Sequence, residues 1–322
     1  MSVCKICGNK TDHKTFQARE MLRGTRRSFD YRECSSCGCV QLVAIPSDIA
    51  DYYANDSYGS FSTPACNGLK KRARIARNKF SLLRRGGLAA RVLNRLAPLP
   101  PDCRIVGDYA RLDSKILDIG CGRGAYINDL ADIGFKDVSG IDPFLKEDIV
   151  HPNGVVVRRM FVQDVTDRYD VILSHHSFEH VPNPYEFLSA VRKILAPDGV
   201  CLLTVPVAED LYRRYGKDCY LIQAPQHFFL YSIKAFEILA RKSKLRIDKI
   251  MRFSEGSLAW HEYSVLWSRD IVSDETGKAL DRHFTAMELA EFRAIEAKLA
   301  AQGKGDNVTF VLTVEDAQSE AA

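Results

Sequence analysis

Three glycines and an acid in the middle of the chain have the spacing of a small-molecule binding site. An apolar run containing Asp118 is followed at once by Gly120, Gly122 and Gly124 and then by a helical pattern. Glycines let the backbone turn sharply and approach a ligand without Cβ clashes, and helix N–H groups then face the bound group. A carboxylate here would repel a pyrophosphate but attract a sulfonium or ammonium group. Asp118 therefore predicts a cationic ligand.

Four histidines have positions suited to proton removal. His175 and His176 end an apolar run, His180 follows closely, and His227 lies in an aromatic-rich segment. A histidine with an ordinary pKa of about 6.5 is a suitable base at neutral pH for a substrate group that loses a proton as it reacts. We predict that His176 or His227 is the base and that His180, with Glu179, begins a helix and orients or packs. His175 is a further candidate.

The same histidines suggest a second interpretation. His176, Glu179 and His180 have the H-x-x-E-H spacing of a class of zinc hydrolases. That motif requires one continuous helix and a third ligand, whereas this segment follows a strand and precedes Pro182. We therefore disfavour the hydrolase interpretation.

Four cysteines near the N-terminus have the spacing of a metal site. Cys4 and Cys7 form one C-x-x-C-G sequence, and Cys34 and Cys37 form another after an interval of 26 residues. Four thiolates suit tetrahedral zinc, although an iron site of rubredoxin type uses similar sequences. Such a site is closed to substrate, so we predict a structural zinc and a spare thiol at Cys39.

These groups need a scaffold, and the apolar pattern supplies one. Five apolar runs predict strands and alternate with helical patterns. The predicted strands are 116–119, 138–141, 155–157, 170–173 and 200–205. Alternating strands and helices are typical of an α/β fold with a parallel sheet. Two further runs, 245–253 and 307–314, are predicted to pair antiparallel at one sheet edge, with a polar helical segment at about 277–302 between them. The helix after the glycine loop is expected to stop at Gly134.

Asp142 follows the second predicted strand, about 22 residues beyond the glycine loop. A carboxylate at this place can accept both ribose hydroxyls of a nucleoside. NAD-binding folds use an acid in the same place, so Asp142 alone does not distinguish NAD from another cofactor that contains a ribose.

The acid and glycine pattern from Asp118 to Gly124 resembles the first motif of class I S-adenosylmethionine-dependent methyltransferases. Glu179, His180, Val181 and Pro184 are similar to a segment of bacterial small-molecule and sugar methyltransferases. The resemblance implies a Rossmann-like α/β domain with a seven-stranded sheet, S-adenosylmethionine as cofactor, Asp142 on the ribose, Asp164 near the adenine amine, and an acceptor cap around 206–232. It implies these donor-site residues: Asp118, Gly120, Cys121, Gly122, Gly124, Asp142, Pro143, Gln163, Asp164 and Ser174.

The chain divides into a zinc-ribbon domain at 1–56, a basic helical linker at 57–102 and a methyltransferase domain at 103–322. The linker predicts an amphipathic helix at 69–85 and a second helix near 88–96. From Ser57 to Pro101 there is no acidic residue. The linker has ten basic residues: Lys70, Lys71, Arg72, Arg74, Arg77, Lys79, Arg84, Arg85, Arg91 and Arg95. They form a solvated face or contact a nucleotide diphosphate, RNA phosphates or an anionic membrane, and the sequence leaves this open.

A ribbon before this domain resembles enzymes of surface-polysaccharide and deoxysugar biosynthesis. We therefore predict O-methylation of a sugar, nucleotide-sugar or glycan-linked group. Some ribbon-bearing sugar C-methyltransferases have a further C-terminal domain, for which there is no room after residue 316, so ring C-methylation is disfavoured.

Two other functions are considered. A zinc-ribbon RNA methyltransferase would use the basic helix, but the net charge is only +4 and the fourth strand ends in Ser-His-His-Ser rather than the N/D-P-P-Y/F of base-amine methyltransferases. A non-catalytic assembly subunit that binds S-adenosylmethionine is disfavoured by the intact Asp118, Gly120, Gly122 and Asp142.

Composition bounds the remaining possibilities. The chain has 322 residues and is 46% apolar, with no signal-like N-terminus and no run of about 18 apolar residues. We expect a globular cytoplasmic protein without a transmembrane segment, acting on a small-molecule or glycan substrate. A nucleic-acid partner is not expected, and a homo-oligomer is left open.

Overall fold

The computed structural model describes residues 3–53, 68–254, 257–273 and 283–315. The strands are β1 (Lys14–Arg19), β2 (Ser28–Glu33), β3 (Val40–Leu42), β4 (Lys115–Ile119), β5 (Asp137–Ile141), β6 (Ile149–Val150), β7 (Val156–Arg158), β8 (Tyr169–His175), β9 (Leu195–Pro206), β10 (Phe229–Leu230), β11 (Leu245–Phe253) and β12 (Asn307–Val314). The helices are α1 (Gly68–Leu83), α2 (Leu88–Leu96), α3 (Pro101–Arg104), α4 (Val106–Tyr109), α5 (Ala125–Ile133), α6 (Pro184–Ile194), α7 (Asp210–Tyr215), α8 (Ile233–Lys242), α9 (Ser257–Ser268) and α10 (Ala286–Ala301).

The larger sheet has the order β11-β12-β9-β8-β4-β5-β7-β6. Its five central strands, from β9 to β7, run parallel, because each returns through a crossover connection. At one edge β12 pairs antiparallel with both β9 and β11. The predicted Rossmann-like fold is confirmed. A two-residue strand, β6, pairs antiparallel with β7 and makes the sheet eight-stranded instead of seven-stranded.

Helices cover both faces of this sheet. On one face, buried side chains from α1, α4 and α5 pack on the strands, among them Leu82, Val106 and Leu130. On the other face, α6 and α8 contribute Leu188 and Phe236. Both strand faces are therefore buried, which explains why the central strands read as continuous apolar runs in the sequence.

Local sequence sets several boundaries of these elements. Helix α5 ends at Gly134, as predicted, because this residue adopts a φ of 117° and its N–H bonds back to Ala131 O. Helix α8 begins after Ser232, whose hydroxyl accepts the N–H of Ala235 at 2.9 Å. Both strands predicted at the sheet edge have the predicted bounds.

A second sheet, with the order β1-β2-β3-β10, contains strands from two parts of the chain. Only β1 to β3 come from the N-terminal part. The fourth strand, β10, belongs to the 206–232 segment and pairs through Phe229 with Gln41 and through Leu230 with Val40. The N-terminal part and the larger domain therefore share one sheet and one continuous core.

The basic segment forms a hairpin of α1 and α2, close to the predicted bounds. The buried side of α1 differs from the predicted apolar face, since Asn78, Ser81 and Leu82 are buried while Leu69 is 81% exposed. The physical reason is that Asn78 donates to Asp129 of α5 at 2.9 Å, which turns this side of the helix inwards.

Helix α9 was not predicted. It packs Leu266 and Trp267 on Met21 beside the N-terminal sheet. The polar helix predicted at about 277–302 corresponds to α10, and residues 277–282 lie outside the described residues. Within the described residues, no helix is long and apolar enough to cross a membrane.

Candidate functional site

The carboxyl ends of β4, β5 and β8 meet at one edge of the sheet and form a cavity of about 290 Å³. Ligands of open α/β sheets bind at this edge, where the connections diverge. The lining of this cavity includes Gly120, Asp142, Gln163, His176 and His180. The fold therefore brings the glycine loop, the second-strand acid and two of the four histidines together.

The glycine loop turns sharply, as predicted, and two of its glycines have a further steric reason. Gly120, Gly122 and Gly124 all have φ between 56° and 78°, a region that favours glycine. A Cβ on Gly120 would lie 2.4 Å from the Cβ of Ser177, and a Cβ on Gly124 would lie 2.6 Å from Val157 Cγ2. These two glycines are required because neighbouring protein side chains approach them.

Two buried carboxylates lie behind the loop. Asp142 accepts the Gly122 N–H at Oδ2 and the Phe144 N–H at Oδ1, both at 2.9 Å, so its plane is fixed. Burial raises its pKa. Asp118 is 4% exposed, and burial together with the charge of Asp142 raises its pKa to about 8. A cation at this point would stabilise both ionised carboxylates.

His176 is the most unusual residue at this edge. It follows β8 with a φ of 48°, which is rare for a residue with a side chain. Its Nε2 lies 3.8 Å from Asp102 Oδ2 and its Nδ1 lies 3.6 Å from Glu179 Oε1. Partial burial opposes a charge on the ring, whose side chain is 40% exposed, but the two carboxylates prevail and raise its pKa to about 9. A proton that reaches this ring is thus strongly held.

Glu179 is buried beneath His176, and neither of its carboxylate oxygens has a hydrogen-bond partner among the described residues. Burial alone would raise its pKa, but the neighbouring histidines, His176 first among them, lower it to about 2. The expected helix start at Glu179 and His180 is wrong. Both lie in a short 3-10 turn, Phe178–His180, and α6 begins only at Pro184 because Pro182 interrupts the helical conformation. His176, Glu179 and His180 therefore do not lie on the continuous helix that the hydrolase motif requires.

His227 lies behind the cavity rather than in its lining. Its Nδ1 is 2.7 Å from Leu221 O, and its Nε2 is 4.0 Å from Glu179 Oε1. Since Nδ1 donates to the carbonyl, Nε2 carries the lone pair. Burial lowers the pKa of His227 to about 3, so the ring is neutral. It packs edge-on against His180 with ring centroids 4.8 Å apart.

His175 points elsewhere. Its Nε2 lies 3.2 Å from the Asp102 carbonyl oxygen, and its ring packs edge-on against Tyr126. Burial lowers its pKa. These contacts indicate a role in fixing the Asp102 segment.

Two residues of the site were missed by the sequence analysis. Asp102, in α3, pairs with His176 and accepts a hydrogen bond from Asn307 at 3.1 Å. Tyr53, in the N-terminal part, lines the cavity, stacks on Phe144 and donates to Gln226 O at 3.1 Å. Asp102 had one signal, because it is the first acid after the basic stretch. No local pattern distinguishes Tyr53.

Comparison with known proteins identifies the scaffold. A family model described as a methyltransferase domain matches residues 82–250, which is just over half of the chain. The chain belongs to this methyltransferase family. The predicted methyltransferase domain is thereby confirmed, and S-adenosylmethionine is the cofactor of the family to which the resemblance pointed.

Curated relatives match this methyltransferase over a shorter stretch. The ubiquinone biosynthesis O-methyltransferase of Psychrobacter cryohalolentis is 31% identical over 118 residues, covering 32% of this chain and 45% of the relative. The protein of the same name from Yersinia enterocolitica is 29% identical, covering 33% of this chain and 48% of the relative. The chain thus spans less than half the length of the curated relatives it matches.

Solved structures show more distant similarity. A cyclopropane synthase from Mycobacterium tuberculosis is 17% identical, with 83% of this chain and 94% of that chain covered and a TM-score of 0.42. An O-methyltransferase from a polyketide synthase of Brevibacillus brevis, bound to S-adenosylhomocysteine, is 13% identical, with 62% and 66% covered and a TM-score of 0.38.

The cavity of this methyltransferase suits S-adenosylmethionine. The buried Asp118 and Asp142 suit a ligand with a cationic centre and a ribose, and each oxygen of Asp142 keeps a lone pair beyond its backbone bond. Pro143 and Gln163 also line the cavity.

Six predicted donor residues lie outside the cavity lining: Asp118, Cys121, Gly122, Gly124, Asp164 and Ser174. Asp164 lines a separate cavity with Lys115 and Asp137 near the amino ends of the strands. The Cys121 side chain packs against Gly140 of β5. Ser174 is fully buried and bonds Ser177 at 2.7 Å between hydroxyl oxygens, so it positions Ser177 at the cavity wall. Gln163 is better placed than Asp164 for the base of a nucleoside, because Gln163 lines the cavity and Asp164 does not.

The four predicted metal ligands come together at the tip of the second sheet. Cys4 Sγ lies 3.7 Å from Cys37 Sγ, Cys7 Sγ lies 3.5 Å from Cys34 Sγ, and all four sulfurs lie within 4.8 Å of one another. Sulfurs bound tetrahedrally at about 2.3 Å are separated by such distances. The Gln41 amide lies 3.2 Å from Cys4 Sγ and supports it from outside. The donor set fits a tetrahedral ion, while Cys39 is buried apart from it.

Proposed function

We propose that this protein transfers a methyl group from S-adenosylmethionine to a hydroxyl oxygen of a small-molecule acceptor, with His176 as the general base. When bound, the cofactor supplies an electrophilic methyl group. The position of His176 carries the proposal, because its ring lines the cavity and lies within 4 Å of two carboxylates, those of Asp102 and Glu179. The names of the curated relatives support an oxygen acceptor.

The two carboxylates give His176 its basicity. A base must take the hydroxyl proton as the new bond forms, and the resulting imidazolium is stabilised by Asp102 and Glu179. The other predicted base, His227, is buried behind His180 and has a lowered pKa, so it suits support of Glu179 better than proton removal. His180 and Tyr53 line the same cavity and form its acceptor side.

The cysteine site is proposed to hold structural zinc. All four ligand positions are taken by protein sulfurs, so the ion has no open position for a substrate. The zinc-ribbon part at 1–56 then acts through the sheet that it shares with β10. The basic segment at 57–102 and the domain at 103–322 complete the proposed organisation.

Two classes of acceptor hydroxyl agree with this mechanism. A sugar, nucleotide-sugar or glycan-linked hydroxyl agrees with the ribbon-plus-methyltransferase layout, while the names of the curated relatives give it no support. A phenolic hydroxyl agrees with those names under the same mechanism. The site chemistry, a histidine base beside the methyl-donor cavity, is common to both.

The test is single-turnover transfer of labelled methyl groups from S-adenosylmethionine to a panel of nucleotide-sugars, glycans and catechols. His176→Gln should lower the rate at least 100-fold while the dissociation constant of S-adenosylmethionine changes less than threefold. His283→Gln is the matched control, because His283 is exposed and lies outside the cavity lining, and it should retain the rate. A His176→Gln enzyme within threefold of the wild type contradicts the assignment of the base, and labelling of a nitrogen or carbon atom contradicts O-methylation.

A further inference from the structure

Helix α2 exposes an apolar stripe that the methyltransferase site does not use. Leu88, Val92 and Leu96 recur every four residues, and their exposed fractions are 78%, 48% and 77%. Residues four apart share one face of a helix. The opposite side of α2 faces the protein, since Ala90 is only 3% exposed. The stripe is therefore a coherent outward surface of α2.

This concentration is specific to the hairpin. Twelve large apolar side chains are exposed among the described residues, and four of them, Leu69 with the three of the stripe, lie on α1 and α2. The others are scattered over loops and other elements. Contiguous apolar surface of this kind is typical of a site that contacts a membrane or another protein, whereas single exposed apolar residues are common on any surface.

Basic groups flank the stripe. Arg91 and Arg95 follow one edge of it on α2, and Arg84 and Arg85 precede it in the turn. Two basic residues of α1 differ in role from these, since Lys71 pairs with Asp132 at 2.9 Å and Arg74 with Asp129 at 3.2 Å. Structural ion pairs thus account for part of the basic run only.

Most of the rest of the basic run is exposed. Among the ion pairs of the described residues none involves these seven exposed side chains: Lys70, Arg72, Lys79, Arg84, Arg85, Arg91 and Arg95. The hairpin itself contains no acid. Its outer surface is therefore positive as well as apolar.

We propose that the α1–α2 hairpin binds the surface of an anionic lipid bilayer, with Leu88, Val92 and Leu96 inserted between headgroups and the flanking arginines on lipid phosphates. A short helix with leucines on one face and arginines beside them has the composition of an interfacial helix. Anionic headgroups complement the arginines, and the acyl boundary takes the leucines. A nucleic acid would satisfy the arginines and leave the leucine stripe in water.

The hairpin is held firmly enough to present this surface. Helix α1 is anchored by the Asn78–Asp129 hydrogen bond and by close contact with α4, since a Cβ on Gly107 would lie 2.1 Å from Leu82 O. Helix α2 is tied back by Arg77, which donates to Ala97 O at 3.4 Å. The stripe therefore lies on a supported element of the fold.

The experiment is flotation of the full chain with vesicles of 30% phosphatidylglycerol and 70% phosphatidylcholine, compared with vesicles of phosphatidylcholine alone. The expected result is binding to the anionic vesicles at least tenfold above the neutral ones, decreasing as salt is raised. Leu88→Ser/Leu96→Ser should lower this binding at least tenfold, and Arg91→Glu/Arg95→Glu should also lower it.

Val150→Ser/Met287→Ser is the matched control, because both side chains are exposed, at 72% and 79%, outside the hairpin. It should bind like the wild type. Circular dichroism and methyl transfer in solution should be unchanged in all variants, because none of these residues lies in the cavity.

Three outcomes would overturn the proposal. One is the absence of flotation with anionic vesicles, and another is a leucine variant that floats like the wild type. The third is a different occupant of the stripe: a dimer that the leucine variant converts to a monomer in light scattering, or RNA binding that the arginine variant abolishes and the leucine variant leaves unchanged.

Discussion

The left-handed conformation of His176 directs its ring between two carboxylates at the sheet edge. A residue with a side chain rarely adopts a φ of 48°, and such conformations concentrate at functional sites. Asp102 and Glu179 come from α3 and from the 3-10 turn after β8, so neither is adjacent to His176 in a single element. The basicity of this histidine therefore depends on one local carboxylate, three positions away, and on one distant carboxylate in α3.

This arrangement predicts the pH dependence of methyl transfer. The neutral form of His176 accepts the proton. The value of kcat/KM should therefore rise with pH, with an inflection near the raised pKa of His176, about 9, and level off above it. Asp102→Asn removes one carboxylate that stabilises the protonated ring, so the inflection should move to lower pH. The measurement is a pH–rate profile from pH 6 to 10.

Asp132→Asn is the control for this profile, because Asp132 pairs with Lys71 away from the cavity. Its profile should match that of the wild type. An Asp102→Asn profile that coincides with the wild type would refute the pairing with His176.

Gly120→Ala tests the close approach of Ser177. The new Cβ would meet Ser177 Cβ at 2.4 Å in a backbone with a φ of 74°. Strain and overpacking together should lower the free energy of unfolding by roughly 2–5 kcal/mol. Urea denaturation measures this.

Gly154→Ala separates the two contributions. Gly154 also has a positive φ, of 86°, but a Cβ there meets nothing within 4 Å. Its cost should be the strain alone, about 1–2 kcal/mol. Equal losses for the two variants would mean that the Ser177 contact contributes nothing.

At the scale of elements, the start of α8 fastens the two sheets together. The Ser232 hydroxyl accepts the Ala235 N–H at the helix start and donates to the Cys37 carbonyl in the cysteine site. One buried side chain therefore both caps a helix and holds the loop that contains Cys37. The β3–β10 pairing continues this connection through backbone hydrogen bonds.

Ser232→Ala should remove both interactions and lower the free energy of unfolding by about 1–2 kcal/mol. It should also speed the loss of metal to a chelator, because the Cys37 loop loses a hydrogen-bond donor. Ser268→Ala, at the exposed end of α9, is the control and should change neither quantity. Unchanged metal release in Ser232→Ala would disconnect the cap from the cysteine site.

At the scale of the whole molecule, the N-terminal sheet supports the catalytic edge. Tyr31 donates to His227 O at 2.9 Å, and Tyr53 donates to Gln226 O. Gln226 in turn donates to Tyr52 O at 3.1 Å. The segment that carries His227 is thus held on one side by the N-terminal part.

Metal removal should therefore impair catalysis from a distance. Metal analysis of the purified protein should give one zinc per chain. After chelation, kcat should fall at least tenfold, while the dissociation constant of S-adenosylmethionine should change less than threefold because Asp118 and Asp142 lie in the larger sheet. Re-addition of zinc should restore kcat. A chelated protein with full kcat would contradict this support.

The sequence by itself determined the features that arise from short-range pattern. The apolar runs, the glycine loop after β4, Asp142 after β5, the helix stop at Gly134 and the paired C-x-x-C spacings all depend on residues within a few positions of one another. Steric limits on the backbone and the periodicity of side-chain burial fix such features locally. The methyltransferase domain was therefore predictable.

Only the tertiary structure decided which distant residues meet. Asp102 approaches His176 across more than 70 positions of sequence, and Tyr53 reaches the cavity from the N-terminal part of the chain. The same folding placed His227 behind His180 and left the stripe of α2 outward. Contacts of this kind depend on how packed elements are arranged in space, which no local pattern of residue types encodes.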